Sequence, residues 1–386
     1  LLVVDNGDVS AGYGRQSELK YETAMKAMAE IGYSAVNVGE QDLLLGIDYL
    51  RYVVDFTGIR LVSANIVDSE GRPAFEPFVL DTVKDEDTPL TAAVIGVIST
   101  EFKETIEGIN PTLVVEEYEP VLERLVKELR PQADLLVVLA HMSDHESRAI
   151  ALSLPEIDLI IASHSGDDPF PLPESEGDVP IAYAGAKGMH VGVADIAVKE
   201  SRAKMESYVV RALDQSLADS QRMAAILDDY QKMLKIEKLL ESYPRRDYGE
   251  AEFVGDKGCI RCHSFSTWRF SGSKHAHAFD PIAEKERHYD PECVKCHTVG
   301  FGYKSGFLTP EATPDLRHVG CEDCHGAGSR HIEQPMELAY GEVKQEICVS
   351  CHDTENSPKF KYDDYIKQIK HNSFFLCSAR ICHWFE

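Results

Sequence analysis

Cysteine is missing from the first 258 residues of this 386-residue chain, although the chain has ten of them. That absence excludes a disulfide framework or a thiolate metal site from the larger part of the molecule. The abrupt onset at Cys259 marks a boundary between two kinds of sequence. Basic side chains are scarce: 39 Lys and Arg face 65 Asp and Glu, a net charge of −26. Residues 1–249 carry 44 acids and 23 bases and residues 250–386 carry 21 and 16, so the deficit sits mainly in the first part. Such a surface repels nucleic acid and anionic lipid, and neither is expected as a partner. No apolar run reaches the roughly 18 residues of a membrane-spanning helix. Residues 1–4 lack the charged start of a signal peptide and read as the beginning of a buried strand, so any export signal is expected ahead of residue 1. The length allows two domains at about 100–200 residues each.

What the last third does hold is regular. Its cysteines come as Cys259/Cys262, Cys293/Cys296, Cys321/Cys324 and Cys348/Cys351, and each pair is followed at once by His263, His297, His325 or His352. Two thioethers can hold the two vinyl groups of one haem, and the adjacent imidazole reaches the iron from the proximal side. Zinc knuckles and disulfides also use paired cysteines, but zinc does not ask for His directly after the second one. With His at 15 of 386 positions, four such coincidences have odds on the order of one in a million. The pattern therefore predicts four c-type haems. A looser run, Cys377 and Cys382 followed by His383, has four residues between its cysteines. It is read as a fifth haem site, against the alternative of two free thiols on an exported protein. Iron held on both faces by imidazole needs distal ligands, and His275, His277, His288, His318, His331 and His371 supply six candidates.

The order of residues over 258–371 resembles the cytochrome c-554 family of tetrahaem cytochromes. The likeness is carried by residues 258–263, Trp268, Ser273, His275 and Ala276, then 293–300 and 319–326 with Gly328 and His331. It ends on 348–352, Ser357, Pro358, Phe360, Tyr365, Lys370 and His371. The resemblance implies that His275, His331 and His371 are distal ligands. The fourth distal position stays open among His277, His288 and His318. Some members of that family leave one haem five-coordinate, which implies a place where a small molecule reaches the iron. The wider motif at Cys377 departs from the tetrahaem pattern. Gly, Pro and Ser punctuate the segment, so short helices and loops wrapped on cofactors are expected.

Residues 1–212 alternate strand and helix signals. Strand candidates are 1–4, 35–38, 60–64, 92–98, 135–139, 159–161, 181–184 and 191–198, and helical periodicity fits 21–31, 44–57 and 117–129. The fold class read from this is an α/β layered sandwich. A helical connector follows over 213–248, its apolar stripe running through residues 214–243, and then a small, mainly helical and loop-rich multihaem domain over 249–386. Polar loops follow several strands, at 5–8, 39–42, 141–143 and 163–166, where α/β folds build sites. Their order resembles the calcineurin-like metallophosphoesterases, in particular periplasmic 5′-nucleotidases, over about residues 1–210. Asp5-Asn6-Gly7-Asp8 matches a block whose last Asp bridges two metals, Ser63-Ala64-Asn65 a Ser-Ala-Asn, Leu139-Ala140-His141 a Leu-Ser-His, and His164 the first His of a Gly-His-x-His.

The departures are as informative. Glu40 stands where the family has a metal-binding Asn, Gln41 where it has the His that steadies the transition state, and Gly166 where it has a second His. The family's opening Asp-x-His block is not within the numbered residues. One metal site thus keeps Asp8, His141 and His164, with Glu40 in place of Asn, while the other keeps only Asp8. Two-metal hydrolysis needs both ions, so the resemblance implies a degenerate scaffold with a single divalent metal or none. Attachment of c-type haem occurs outside the cytoplasmic membrane in prokaryotes, which implies a periplasmic or extracellular place. The expected molecule is an exported electron carrier with four or five haems. It serves basic redox proteins or neighbouring copies of itself, in an oligomer or filament, with the first domain for docking or assembly. The rival expectations are a redox enzyme for nitrogen-oxide or hydroxylamine chemistry at a five-coordinate haem, and a metal-dependent phosphohydrolase with a cytochrome appendage.

Overall fold

The computed structural model describes residues 1–84, 89–199, 202–338 and 343–371. The wide motif of Cys377, Cys382 and His383 lies outside the described residues. The chain divides into two units, Leu1–Leu227 and Asp228–Glu386.

The first unit runs β1 (Val4–Asp5), α1 (Arg15–Ile31), β2 (Ala35–Asn37), α2 (Ile47–Thr57), β3 (Leu61–Val62), β4 (Ile66–Asp68), β5 (Phe78–Lys84), β6 (Pro89–Ile98) and α3 (Lys103–Ile109). It continues with β7 (Leu113–Val115), α4 (Tyr118–Leu129), β8 (Leu135–His141), α5 (Asp144–Ser153), β9 (Leu159–Ala162), β10 (Glu174–Glu176), β11 (Val179–Ala182), β12 (His190–Lys199) and β13 (Arg202–Ala212). The large sheet has the order β10-β11-β9-β8-β6-β5, and a smaller one the order β1-β2-β3. Strands β6, β8, β9 and β11 are parallel, with β5 and β10 antiparallel at the edges.

Strand β8 is buried at every position because it is central and covered on both faces. Its alternate residues serve different layers. Leu136, Val138 and Ala140 join Ile95 and Val97 beneath α4 and α5, against Leu122, Leu125 and Ile150. Val137 and Leu139 face the other way, into a layer shared with Ala35 and Val62 of the small sheet and with Ile196 and Met205 of the β12–β13 ribbon. On the far side of the small sheet, Val36 and Leu61 meet Met25 of α1 and Leu50 and Val53 of α2. The layers are therefore helix, sheet, sheet, helix, which is the α/β sandwich expected. Helix α4 fits it because Tyr118, Val121, Leu122, Leu125, Val126 and Leu129 recur at helical spacing and are all buried.

Among the elements whose bounds differ from the sequence pattern are α1, which starts at Arg15 and not at residue 21, the first strand and the connector helix. The first strand is Val4–Asp5 and not residues 1–4, because its partner strand begins only at Ala35, opposite Val4. The helix of the connector is shorter than its apolar stripe. It covers Gln221–Ile236 (α6), and a separate turn Leu239–Ser242 (α7) follows after Lys238 takes a left-handed φ of 54° that no helix can continue through.

The second unit is built of short helices: α8 (Asp256–Cys259), α9 (Ser264–Ser271), α10 (Asp280–Glu284), α11 (Pro291–His297), α12 (Cys321–His325), α13 (Ser329–Glu333), α14 (Gln345–Val349) and α15 (Tyr362–Ile369). Its buried apolar cluster holds Leu240, Phe253, Phe279, Ile282, Val294, Val299, Phe307 and Leu316. Polar staples hold the loops; Arg245, for example, donates to the carbonyls of Leu240, Tyr303 and Phe307. No helix among the described residues is long and apolar enough to cross a membrane.

Candidate metal centre and haem-ligand sites

Four loops at the carboxyl ends of β1, β2, β8 and β9 bring Asp8, Glu40, His141 and His164 together, with one donor atom of each within 4.8 Å of the others. Buried amides make this convergence possible. The Asn37 amide donates to Asn6 Oδ1, Val97 O and Leu139 O, each at 3.0 Å. The Asn6 amide in turn donates to Ala140 O and Ile161 O. These bonds join the ends of both sheets at the point where the ligands emerge. Buried polar groups must be satisfied, so two asparagines in apolar surroundings fix one arrangement.

Asp42 orders the loops themselves. Its buried carboxylate accepts from the N–H groups of Asp8, Val9, Ser10 and Gly39. Burial pushes it up to about 7 against the lowering effect of the Gly39 N–H. Gly39 must be glycine, since a side chain there would collide with the Asp8 carboxylate. Asp8 and His164 both take left-handed φ, 57° and 50°; such strain in non-glycine residues gathers at functional sites. After His141 the capping box of Ser143 and Glu146 starts α5 and sets the direction of the chain. Phe102 lies over the two imidazoles, 5.9 and 5.0 Å between ring centres.

The donor geometry suits a single small divalent ion. His141 Nε2 lies 2.8 Å from Glu40 Oε2, 3.4 Å from Asp8 Oδ2 and 2.9 Å from His164 Nε2. His164 Nε2 lies 3.5 Å from Glu40 and 3.7 Å from Asp8. A tetrahedral ion with ligands at about 2.1 Å has edges of about 3.4 Å. His141 Nδ1 donates to Asn6 O at 2.6 Å, which directs Nε2 to the cluster. Burial lowers the His141 imidazole, but hydrogen bonds to Asp8 and Glu40 outweigh it and push it up to about 10. Burial raises the Glu40 carboxyl, and the two imidazoles reverse this, holding it well below the usual carboxylate range. Two carboxylates and two imidazoles thus gather positive charge. Gln41 points its amide at Glu40 Oε1, 3.2 Å away.

In the second unit the four motifs lie on short helices: Cys259 ends α8, α11 spans Cys293–His297, α12 spans Cys321–His325, and α14 carries Cys348. None of the eight described cysteines forms a disulfide. The Asp8 cluster is the sole group of three or more His, Cys, Asp or Glu donors found together among the described residues. The side chain of Cys259 lies against that of Cys321, and the side chain of Cys296 against that of Cys351. The first motif therefore lies beside the third and the second beside the fourth.

The two cysteines of the first motif differ in exposure. Cys259 is half-buried, as are the other six described cysteines, whereas Cys262 is exposed to solvent and not enclosed with its partner. The reason is local. Helix α8 stops at Cys259, and Cys262 sits on the turn beyond it, held by its own N–H donating to Cys259 O at 3.2 Å. That turn carries the Cys262 thiol outward, while Cys259 points inward to Cys321.

The imidazoles fit haem iron. An iron bound by two imidazole nitrogens at about 2 Å each places the ring centres roughly 6 Å apart. His263 meets His331 at 6.2 Å, His325 meets His371 at 6.2 Å and His352 meets His275 at 5.9 Å. Outer bonds set several of these rings. Nδ1 of His331 bonds Leu338 O, that of His371 bonds Ile369 O, and that of His352 bonds Ser357 Oγ. Each leaves Nε2 for a metal. Around the motifs Phe265, Trp268, Ile332 and Val349 are exposed, apolar surface of the kind a macrocycle covers.

His297 is different. Its Nδ1 bonds Ala278 O, and no second imidazole faces it among the described residues. His318 Nδ1 accepts the Phe279 N–H at 3.2 Å, which leaves the ring's proton on Nε2. His277 is exposed, between Ser271 O and Asp280. His288 lies against Phe279 and Tyr289. The structure brings none of these three to a motif imidazole.

Residues 258–326 match the family model for cytochrome c554 and c-prime. Cytochrome c-554 of Nitrosomonas europaea is 27% identical over 175 residues, covering 31% of this chain and 74% of that protein. The first unit has other relatives. The 5′-nucleotidase of Vibrio cholerae is 25% identical over 244 residues, covering 54% of this chain and 43% of that protein. The solved structure of Thermus thermophilus sulfate thiohydrolase SoxB in complex with glycerol superposes with a TM-score of 0.53 at 22% identity, covering 64% of this chain and 44% of that one. The chain thus spans less than half the length of that nucleotidase and of SoxB, and the SoxB likeness shows the fold alone. Both resemblances hold: a cytochrome c554-like segment follows a metallophosphoesterase-like α/β unit. The cytochrome similarity implies haem c and supports an electron-transfer role.

Sequence reasoning named all four ligands of the Asp8 cluster but missed Asn6, Asn37, Asp42 and Phe102 as its supports. Asn37 carried a signal: it is a polar residue inside the apolar run 35–38. Phe102 carried none, since nothing local distinguishes it from a core aromatic.

Proposed function

We propose that this protein is an exported multihaem electron carrier, with haem c at Cys259/Cys262/His263, Cys293/Cys296/His297, Cys321/Cys324/His325 and Cys348/Cys351/His352. The observation that carries the reading is the meeting of three motif imidazoles with His331, His371 and His275 at the separation a shared iron requires. When bound, haem c supplies one-electron chemistry. The chain's own part is to hold the axial nitrogens, fix their tautomers and keep the motifs side by side. Cys377, Cys382 and His383 form a fifth site in this reading. A haem stain on a denaturing gel, with reduced-minus-oxidised spectra, tests the proposal: covalently bound haem is expected, and its absence ends the reading.

The first unit acts in this proposal as a docking or assembly module that keeps one divalent ion at Asp8, Glu40, His141 and His164. Glu40 in place of Asn closes the fourth position with a charge, as structural sites are closed. Gln41 and Gly166 stand where the resembled family has its transition-state histidine and a further ligand histidine, which leaves hydrolysis without either. Metal analysis of the purified protein is expected to return one divalent ion, and nucleotide turnover with added manganese or zinc is expected to be negligible. Acidic composition suits basic redox proteins as partners, and a haem at Cys377, Cys382 and His383, near the end of the chain, would pass electrons to neighbouring copies in an oligomer or filament, outside the cytoplasmic membrane. Mass photometry and microscopy of the native material test the assembly.

That no imidazole faces His297 among the described residues favours a second reading, redox catalysis on a small nitrogen compound at a five-coordinate iron. A high-spin electron paramagnetic resonance signal is expected from that motif, and an all-low-spin spectrum removes this reading.

A further inference from the structure

We propose that Glu322, which lies between the cysteines of the third motif, is the positioning residue for the axial ligands of the first motif. Its side chain is 2% exposed, so its carboxylate depends on protein donors alone. Val254 N–H donates to both oxygens at 3.0 Å, Gly255 N–H to Oε2 at 2.7 Å and Gly328 N–H to Oε1 at 2.7 Å. These donors are not scattered. Val254 and Gly255 lead directly into α8, which carries Cys259 and ends four residues before His263. Gly328 leads directly into α13, which carries His331. One carboxylate therefore grips the start of both segments whose imidazoles stand 6.2 Å apart.

The grip is returned. Asp256, the first residue of α8, accepts the Cys321 N–H at 2.9 Å through Oδ1. The first and third motifs are thus cross-linked by two carboxylates, one from each. Only an ionised carboxylate serves at position 322. A glutamine offers one oxygen to three N–H groups and turns its own donors toward them, and a buried donor without an acceptor is costly. An aspartate is one methylene shorter and reaches only part of the set.

This inference rests on the haem reading above, and the test separates the two. The wild-type holoprotein is first shown to carry covalent haem by gel stain; without haem, the haem reading itself fails. In the Glu322→Gln holoprotein we expect haem content to stay while one low-spin signal in the electron paramagnetic resonance spectrum is lost to a new high-spin one. The His331→Gly protein gives the reference spectrum for loss of that ligand, and added imidazole is expected to restore the low-spin signal in both. A Glu322→Gln protein with haem and an unchanged low-spin spectrum overturns the proposal. If Glu322→Gln yields no haem-bearing protein, Glu322→Asp decides. Loss confined to one low-spin signal supports the proposal, whereas no loss, or equal loss from all signals, overturns it.

Discussion

The two units of this chain solve the problem of cohesion in opposite ways. The first buries side chains against side chains: one cluster alone runs from Ala64 to Ile181 and joins α4, α5 and the large sheet. The second has one cluster of eight buried apolar residues, helices of four to eight residues after α6, and aromatic side chains left facing outward around its motifs. A small apolar core does not offset the conformational entropy of ordering so many loops, and such domains depend on a bound group. The Asp8 cluster of the first unit is an ornament on a finished fold, held by Asn6, Asn37 and Asp42. In the proposed reading, the haem and its paired imidazoles are part of what makes the second unit a fold at all.

That comparison can be broken most decisively by denying the chain its haem. Protein made without c-type haem attachment is expected to lose the cooperative unfolding of the second unit entirely, while the first keeps its own transition; calorimetry of the full chain reads both. Two intact transitions would sink the contrast. The next effect is Leu122→Ala, beneath the large sheet at 0% exposure. It should cost the first unit about 2–5 kcal/mol in thermal denaturation followed by circular dichroism, with the haem absorbance unmoved.

Asn37→Ala probes the join between sheets and site. Three carbonyl-type acceptors lose their donor, so a loss of about 1–3 kcal/mol is expected, together with a metal affinity weakened by roughly 10–100-fold through the misplaced loops. Titration calorimetry with zinc or manganese measures the second quantity. Its pH dependence has a definite sign. His141 must be neutral to bind a metal, and without one its imidazole is pushed up to about 10. Metal uptake should therefore release a proton, and affinity should rise by about tenfold per pH unit up to that value. In the metal-free protein the same group, raised above its usual 6.5, contributes stability below pH 6.5 that disappears as pH climbs toward 10. The smallest effect is expected at His145, which is exposed on α5. His145→Ala should change stability by under about 0.5 kcal/mol and leave metal binding as it was.

Much of the first unit was legible as periodicity. The stripe of α4 and the apolar runs of β6, β8 and β9 fall within a residue or three of their observed bounds. The strands that went unread, such as β5, β7 and β13, lie at sheet edges or in ribbons. There one face is exposed, and Val209 of β13 sits in solvent, so hydrophobic alternation is weak. The stop of α6 was unreadable for another reason: Lys238 is an ordinary helix former, and only its left-handed backbone ends the run. In the second unit the spacing of Cys259 and Cys262 was legible but their unequal exposure was not, because it depends on where α8 ends.

By itself the sequence determined which residues carry chemistry. Cys-x-x-Cys-His is a local pattern, because two thioethers and an imidazole must reach one haem from a single turn of chain. Asp8, Glu40, His141 and His164 were legible only through the resemblance of their loop order to the metallophosphoesterases, since they lie far apart in the chain. Tertiary structure alone decided the partners. It set His263 against His331, left His297 without a facing imidazole among the described residues, and placed Glu322 of the third motif under the segments that carry His263 and His331. Those choices depend on contacts between residues some 70 positions apart. No local spacing encodes them, since they arise only when buried donors and acceptors far apart in the chain must satisfy one another.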